Sequence, residues 1–414
     1  MPLTLAQTAM RLLAAILLLA LAFPALSRQD AEGARRTIAA IEQLLEQRPG
    51  DATLWYFLAR SHAQLGSRKE AVAALDKVAE LGEGFLPPRA DGFENIWDDP
   101  AFKAVRARLE ARLPRMDFAP TTFELEDKTV IPEGIAYDAH SRAFFVGSIA
   151  QRRILRVGEG QAVSEFAGEK AGLDHVLGVA MDSPRRILYA VSTTALTDVG
   201  ERQRRNAVFA FDADSRRLLK RYDVPTALQL NDVAVAPGGR VFTSDSASGA
   251  IYEIAVKGPG PARELVAPNQ LRGANGLAAS PDGARLFVAH STGLAVVEIS
   301  TGAIKRVANQ TRESLAAIDG LYEYQGELIG VQNVTTPGRV ILISLSRDGE
   351  SVNRVRTLLS HHHNALDEPT TGAIAGDYFF LLAATGVSRF NRQGSLERPE
   401  SLPTPTVVKV LLPR

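Results

Sequence analysis

The sequence contains no cysteine and has no excess of charge of either sign. Without cysteine, the chain cannot use a thiol nucleophile, a zinc thiolate site or an iron–sulfur cluster. Its 47 Lys and Arg residues are balanced by 47 Asp and Glu residues. Nucleic-acid binding depends on a surplus of positive charge that neutralises phosphates, so the composition argues against nucleic acid as a partner.

A hydrophobic run near the N-terminus is too short to cross a membrane as a helix. It covers residues 12–23, whereas a spanning helix needs about 20 apolar residues. Arg11 precedes the run, and small residues at 25 and 27 follow it, which is typical of a secretory signal peptide. We predict that residues 1–27 are a signal peptide and that the mature chain is periplasmic or secreted. A membrane would be a partner only if this signal stayed uncleaved.

The segment from 28 to 115 has the 3.6-residue periodicity of helices. A first helix ends near Pro49 and Gly50, and Asp51 is placed to cap a second helix that turns into a third at Gly66. The spacing of six residues in these two helices resembles that of one tetratricopeptide repeat. They are Trp55, Leu58, Ala59, His62, Ala71 and Leu75. Since one repeat does not fold alone, we expect this region to pack on its surroundings, either as a docking groove for a protein partner or as a structural cap.

The rest of the chain repeats one strand–turn–strand unit. Copies start at residues 132, 176, 230, 274, 318 and 370, with separations of 44, 54, 44, 44 and 52 residues. Such an interval has room for four strands, the content of one propeller blade. We therefore predict a mainly β fold, a six-bladed β-propeller over residues 118–414, with segments 123–125 and 407–412 closing the ring. A β-sandwich is the alternative, but sandwiches do not repeat one motif at this interval.

The second position of each repeat varies in a chemically suggestive way. Its six occupants are Glu133, Leu177, Asn231, Asn275, Asp319 and Thr371. Each should begin the inner strand of a blade, so the six side chains should converge around the channel. Burying two carboxylates without a cation is costly, and no equivalent position holds Lys or Arg. The oxygen-rich set favours a hard divalent ion, most simply Ca²⁺, with Mg²⁺, Mn²⁺ or Zn²⁺ as competitors. Alternatively, these groups hold channel waters and blade contacts.

Four blade starts, PEGIAYD, LNDVAV, ANGLAASPDG and IDGLYEY, resemble those of the senescence-marker-protein/gluconolactonase (regucalcin-like) family, and more distantly of the paraoxonases. The resemblance covers about residues 118–414 and implies a metal-dependent lactonase or related esterase. It also implies that Glu133, Asn231, Asn275 and Asp319 are the metal ligands. Family members that act on sugar lactones often have Arg two positions before the Asn of the Asn-Asp motif. This chain has Gln229 there, so the resemblance does not extend to sugar-lactone specificity.

The expected reaction is hydrolysis of a small-molecule lactone or ester outside the cytoplasm. Asp319 is expected to serve both as ligand and as proton acceptor, and His175 as a proton shuttle, unless it is a packing histidine. Asp232 should orient Asn231, and Thr371 should bind substrate or a metal-bound water. Loops before the inner strands should bring Asp174 and residues 361–363, 367 and 368 near the mouth, with the histidine run binding a transition metal or lying solvated. The competing function is a non-catalytic binding or scaffold protein with a structural ion.

Overall fold

The computed structural model describes residues 28–89, 92–256, 258 and 260–413. The predicted signal peptide, residues 1–27, lies outside the described residues. Within the described part, every helix is too short or too polar to cross a membrane.

The helical region contains helices α1 (Arg28–Gln47), α2 (Ala52–Gln64), α3 (Arg68–Leu81) and α4 (Pro100–Glu110). Asp51 caps α2 as predicted, because its Oδ1 accepts the backbone N–H groups of Thr53 at 3.0 Å and Leu54 at 3.2 Å. Ala59 and Ala71 are fully buried, and their small side chains let α2 and α3 pack closely. The tetratricopeptide resemblance and the partner-docking function of this region stay predictions.

Six sheets, antiparallel except for one short edge strand, form the propeller, which confirms the predicted fold. Blade one contains β2 (Pro132–Asp138), β3 (Ala143–Ser148), β4 (Arg153–Val157) and β5 (Val163–Ala167). Blade two contains β6 (His175–Asp182), β7 (Ile187–Thr193), β8 (Asn206–Asp212) and β9 (Leu218–Asp223). Blade three contains β10 (Leu230–Val235), β11 (Val241–Asp245), β12 (Ala250–Ile254) and β13 (Arg263–Val266).

The second half of the propeller follows the same plan. Blade four contains β14 (Leu277–Ala279), β15 (Arg285–His290), β16 (Gly293–Glu298) and β17 (Ile304–Arg306). Blade five contains β19 (Ile318–Tyr324), β20 (Glu327–Gln332), β21 (Arg339–Leu345) and β22 (Ser351–Leu359), with β18 (Ala308–Asn309) parallel to β22 at its edge. Blade six contains β23 (Gly372–Ala375), β24 (Tyr378–Ala384), β25 (Thr406–Leu411) and β1 (Thr121–Glu124).

Strands from opposite ends of the sequence close the ring. β1 pairs antiparallel with β25, so that Phe123 lies opposite Val407 and Glu124 opposite Thr406. The prediction that segments near 123–125 and 407–412 close the propeller is therefore confirmed. This arrangement leaves blade six dependent on contacts between the two ends of the propeller.

The inner strands share a bulge where the repeat has its variable residue. Pairing with the second strand shifts register between Pro132 and Ile135, and at the equivalent places in blades two, three and five. A bulge re-aims the side chains beside it. In this propeller it falls on the residues predicted to face the axis.

The helical region packs on the same face of the propeller as the starts of the inner strands. Ile318 at the start of β19 pairs with Gln332 at the end of β20, so both strand ends lie at one edge. The segment after α3 bonds to this edge through Glu83, whose N–H donates to the Arg312 carbonyl at 2.8 Å, and through Leu86, whose N–H donates to Thr335 at 2.8 Å. The segment between α3 and α4 is thus partly a packed contact with blade five.

Two phenylalanines near the start of the propeller test the closure. Phe123 is 2% exposed and packs on Phe144, whereas Phe118 is 86% exposed. We expect Phe123→Ala to lower the free energy of unfolding by about 3–5 kcal/mol, and Phe118→Ala to change it by less than about 0.5 kcal/mol. Unfolding should be measured by circular dichroism of the strands and not by tryptophan fluorescence, because both tryptophans, Trp55 and Trp97, lie in the helical region. Equal losses in the two variants would contradict the closure as described.

Candidate metal centre

The six inner strands approach so closely at the ring that side chains are excluded beside several ring positions. A Cβ added to Gly178 would lie 2.7 Å from the Cα of Asp232 in the next blade. One added to Gly276 would lie 2.5 Å from the carbonyl oxygen of Asp319. Glycine is therefore required at both positions by close backbone approach. The neighbouring residues of successive blades are brought around one axis as predicted.

Asp319 is held by amide donors on both of its carboxylate oxygens. Asn275 Nδ2 donates to Oδ1 at 2.7 Å, and Asn333 Nδ2 donates to Oδ2 at 2.7 Å. Asn333 also donates to the Pro369 carbonyl at 2.9 Å. Burial raises the pKa of Asp319 to about 6, although both amide hydrogen bonds act in the opposite direction. Two predicted ligands, Asn275 and Asp319, are therefore in direct contact.

Glu133 lies close to the negative charges of two acidic neighbours, Asp319 and Asp232. Its side chain is 6% exposed, and its buried Oε2 has no hydrogen-bond partner. Burial, followed by the negative charges of Asp319 and Asp232, raises the pKa of Glu133 well above its usual range. A buried acceptor without a donor is rare in folded proteins and calls for a partner.

Asp232 and Tyr322 lie on the channel side of the ring. Asp232 accepts the backbone N–H of Leu277 in the next blade at 2.9 Å, and burial raises its pKa to about 7. The Tyr322 hydroxyl oxygen accepts the N–H of Gly372 at 2.8 Å. Burial raises the pKa of Tyr322, and the charges of Asp232, Glu133 and Asp319 raise it further. Both residues line a channel of about 380 Å³ that follows the inner strands.

These groups fit a hard divalent cation. No ion pair among residues 28–89, 92–256, 258 and 260–413 includes Glu133, Asp232 or Asp319. One buried and two partly buried carboxylates therefore share one region without a basic side chain, and the Oε2 atom of Glu133 has no donor. Carboxylate and amide oxygens are the ligands that Ca²⁺ and Mg²⁺ prefer. Asn231, 6% exposed, adds a further amide from the neighbouring blade.

The remaining ring positions differ in character. The Thr371 hydroxyl donates to the Glu133 carbonyl at 2.5 Å and so joins blade six to blade one. Leu177, 2% exposed, packs in an apolar cluster with Ile131 and Ile149, next to partly buried Phe390. The ring is therefore polar on the sides of blades one and three to six, and apolar at blade two.

His175 is buried beside this apolar side. Its Nδ1 lies 2.8 Å from the Ile149 carbonyl, so Nδ1 carries the proton and Nε2 is the free acceptor. Burial lowers the pKa of His175, and its ring meets Phe390 edge-to-face. Asp174, in contrast, is held by Arg205 at 2.6 and 2.9 Å. The proton-shuttle function of His175 stays a prediction.

The histidine run lies elsewhere. His361 faces Glu110 of α4, and His363 Nε2 lies 2.9 Å from the carbonyl of Ala119, just before β1. Since β1 is the outermost strand of blade six, the expectation that these histidines lie near the channel mouth is wrong. The loop starts at the outer strand of blade five, and only its later part reaches the inner strand of blade six.

Sequence reasoning missed Asn333 and Tyr322. Asn333 is the last residue of its repeat copy, and the other copies end with Ser148, Ser192, Ser246, His290 and Thr385. All six final positions are thus polar. Because the second strand runs antiparallel to the first, its end returns to the ring, and this conserved polarity within the chain was the available signal. Tyr322 carried no comparable signal, since an aromatic residue on an inner strand is ordinary core.

Comparison with known proteins matches residues 131–357, more than half of the chain, to the family described as the SMP-30/Gluconolactonase/LRE-like region. The chain belongs to this family. The match covers blades one to five, including the four predicted oxygen ligands: Glu133, Asn231, Asn275 and Asp319. No curated protein matched the chain.

Solved structures of proteins with different activities resemble this gluconolactonase-family chain in fold. PQQ-bound aldose sugar dehydrogenase from Streptomyces coelicolor is 16% identical with a TM-score of 0.50, covering 72% of this chain and 99% of that one. Virginiamycin B lyase from Staphylococcus aureus with quinupristin is 13% identical with a TM-score of 0.50, covering 72% of this chain and 99% of that one. A gluconolactonase from Xanthomonas campestris is 19% identical with a TM-score of 0.48, covering 72% of this chain and 91% of that one. At these identities the likeness concerns the fold.

The buried carboxylates predict a pH dependence of stability in protein freed of divalent ions. Because the folded pKa of Asp232 is raised, the folded state holds its proton more tightly than the unfolded state, and stability is lost as pH rises from about 4 to about 7. When the pH is raised from 5 to 8 in chelator, we expect the free energy of unfolding of Asp232→Asn to increase by about 2 kcal/mol relative to that of the unsubstituted chain. Denaturant unfolding measures this difference. The exposed Asp223→Asn is the control, and parallel pH profiles for all three proteins would contradict the assignment.

Asn333 is a positioning residue for Asp319. We expect Asn333→Ala to weaken binding of Ca²⁺ by about tenfold, because the Asp319 carboxylate loses a donor that fixes its orientation. Calorimetric titration of the chelator-treated protein measures the affinity. Asn353→Ala, on the exposed face of β22, is the matched control and should bind as the unsubstituted chain does. Unchanged affinity in both variants would show that Asn333 does not support the site.

Proposed function

We propose that this chain is an extracytoplasmic, divalent-metal-dependent hydrolase of lactones or related esters. Family membership supports a lactonase-type propeller enzyme. The single observation that carries the metal dependence is the buried Glu133 carboxylate, whose Oε2 has no partner and which faces the charges of Asp319 and Asp232. The extracytoplasmic location rests on the signal-like segment at residues 1–27, and the N-terminal residue of the exported chain tests it.

Glu133, Asn231, Asn275 and Asp319 would hold the ion, most simply Ca²⁺. Asn275 donates its Nδ2 hydrogen to Asp319, which leaves the amide oxygen of Asn275 as its ligand atom. A bound divalent cation would polarise a substrate carbonyl and stabilise negative charge on its oxygen. The ring supplies two carboxylates and two amide oxygens, a combination typical of Ca²⁺ sites.

Asp319 is the candidate proton acceptor. In hydrolysis, the water oxygen bonds to the carbonyl carbon, the ester C–O bond breaks, and the water proton ends on the released alkoxide oxygen. The Asp319 carboxylate can take that proton and return it. Asn275 and Asn333 fix the carboxylate in place. His175, with Nε2 free, is the candidate second carrier.

The surroundings favour an apolar substrate portion on the side of blade two. Leu177 replaces an oxygen ligand there and belongs to a cluster with partly buried Phe390, Val387 and Leu396. An acyl chain could pack against this side while its carbonyl reaches the ring. Gln229 in place of an arginine removes a charged group that a polyhydroxylated substrate could use. We therefore propose lactones with an apolar substituent as the first substrates to examine.

A hydrolysis screen over lactones and aryl esters, with and without Ca²⁺, tests the proposal. We expect activity that chelator abolishes and Ca²⁺ restores. Asp319→Asn and Glu133→Gln should each lower kcat/KM by at least about a hundredfold, since each removes a charged ligand. Glu124→Gln, which removes an exposed carboxylate from β1, is the matched control and should leave activity unchanged.

The same experiment separates the alternative function. Tight Ca²⁺ binding without hydrolysis of any ester would favour a non-catalytic binding or scaffold protein with a structural ion. Hydrolysis that survived both ring substitutions would place the active site elsewhere on the chain. Folding of each variant is checked by circular dichroism, so that loss of activity is not mistaken for unfolding.

A further inference from the structure

A second group of ligand-type side chains lies at the contact between the helical region and the propeller. Glu110, at the end of α4, meets His361 and His362, which follow β22. One potential ligand atom from each of these residues lies within 4.8 Å of the other two. Among the described residues, this cluster of one Glu and two His shares no residue with the carboxylate ring.

The His361 side chain has an unsatisfied polar atom that points to a missing ligand. Its side chain is 11% exposed, and its Nε2 is buried without a hydrogen-bond partner. The nearest carboxylate oxygen, Glu110 Oε1, is 3.5 Å away, too far for a good hydrogen bond. Burial and the neighbouring His362 lower the pKa of His361, although Glu110 acts in the opposite direction.

The separation of these atoms suits a tetrahedral ion. Ligand atoms that bind zinc at about 2.0–2.2 Å lie roughly 3.3–3.6 Å apart. The 3.5 Å between His361 Nε2 and Glu110 Oε1 matches this spacing without rearrangement. A water molecule would complete a set of two imidazoles and one carboxylate, a combination that suits Zn²⁺.

Neighbouring groups orient the other two side chains. The Ser360 hydroxyl lies 2.9 Å from His362 Nδ1 and 3.1 Å from the Met116 carbonyl. If Ser360 donates to Met116, it accepts the Nδ1 proton of His362 and leaves Nε2 free for a metal. Arg106 donates to Glu110 Oε2 at 2.9 Å and is itself stacked over Trp97, which leaves Oε1 facing the histidines. His362 and Glu110 are thus each fixed by a second contact.

We propose that Glu110, His361 and His362 bind a transition-metal ion of the zinc class that links the helical region to the propeller. One ligand comes from α4 and two come from the loop that leads into blade six. The ion would therefore hold together two parts of the chain that are more than two hundred residues apart in sequence. This proposal is independent of the proposed hydrolase function, because it uses none of the ring residues.

Titration with Zn²⁺ in the presence of saturating Ca²⁺ tests the proposal on the full exported chain. We expect one Zn²⁺ per chain by calorimetry, and binding at least about tenfold weaker in His361→Ala, His362→Ala and Glu110→Gln. His363→Ala is the matched control: it removes an adjacent imidazole whose Nε2 already contacts the Ala119 carbonyl, and it should bind as the unsubstituted chain does. Zn²⁺ should also raise the thermal midpoint of the chain, and this shift should vanish in His361→Ala.

Three results would overturn the proposal: no stoichiometric Zn²⁺ binding, equal loss in the His363→Ala control, or loss of Zn²⁺ binding in Glu133→Gln, which would assign the ion to the ring. Substitution with Co²⁺ gives a second readout, since four-coordinate Co²⁺ has intense visible absorption that six-coordinate Co²⁺ lacks. Circular dichroism of each variant confirms that weakened binding does not reflect unfolding. Lactone hydrolysis is measured in parallel, so that failure at the ring and failure at this site are distinguished.

Discussion

The electrostatic cost of gathering three carboxylates on the propeller axis is the constraint on which the site depends. Glu133 is buried, Asp232 and Asp319 are partly buried, and burial is the first cause of the raised pKa of each. The inner strands that carry them approach closely, as the contacts at Gly178 and Gly276 show. The arrangement is stable only if protons or a cation neutralise the ring. At neutral pH, the proposed divalent ion would do so and leave the carboxylates ionised for the proposed chemistry.

Left-handed backbone conformations precede three of the four predicted ligands. Ile131, Gly273 and Ala317 have φ values of 44°, 64° and 52°, and each lies two positions before a predicted ligand. A left-handed conformation costs a non-glycine residue about 1–2 kcal/mol, and for a β-branched residue such as Ile131 it is unusual. Together with the bulges, this conformation turns the ligand side chains towards the axis. Strain of this kind is commonly found at functional sites, where surrounding structure maintains it.

The repeat made the architecture predictable, whereas the details of the ring depended on register. Six copies at a regular interval indicated six blades, and one variable position in each copy indicated which side chains converge. Asn333 was not found because its link to Asp319 depends on how β20 pairs back along β19. The histidine run was misplaced because the loop containing it spans from the outside of one blade to the inside of the next. Composition records the histidines, but not which end of that loop they occupy.

The helical region is coupled to the ring through blade five. Tyr56 of α2 donates its hydroxyl to the Val334 carbonyl at 3.3 Å, and the adjacent Asn333 donates to Asp319. Glu83 and Leu86 bond to the segments on either side of the same two strands. A shift of the helices would therefore move the backbone that presents both the candidate proton acceptor and its positioning amide. Since blade five also leads into the loop that contacts α4, the helical region is attached at both ends of the blade that supplies Asp319. Its contribution to the site is best understood as fixing that blade.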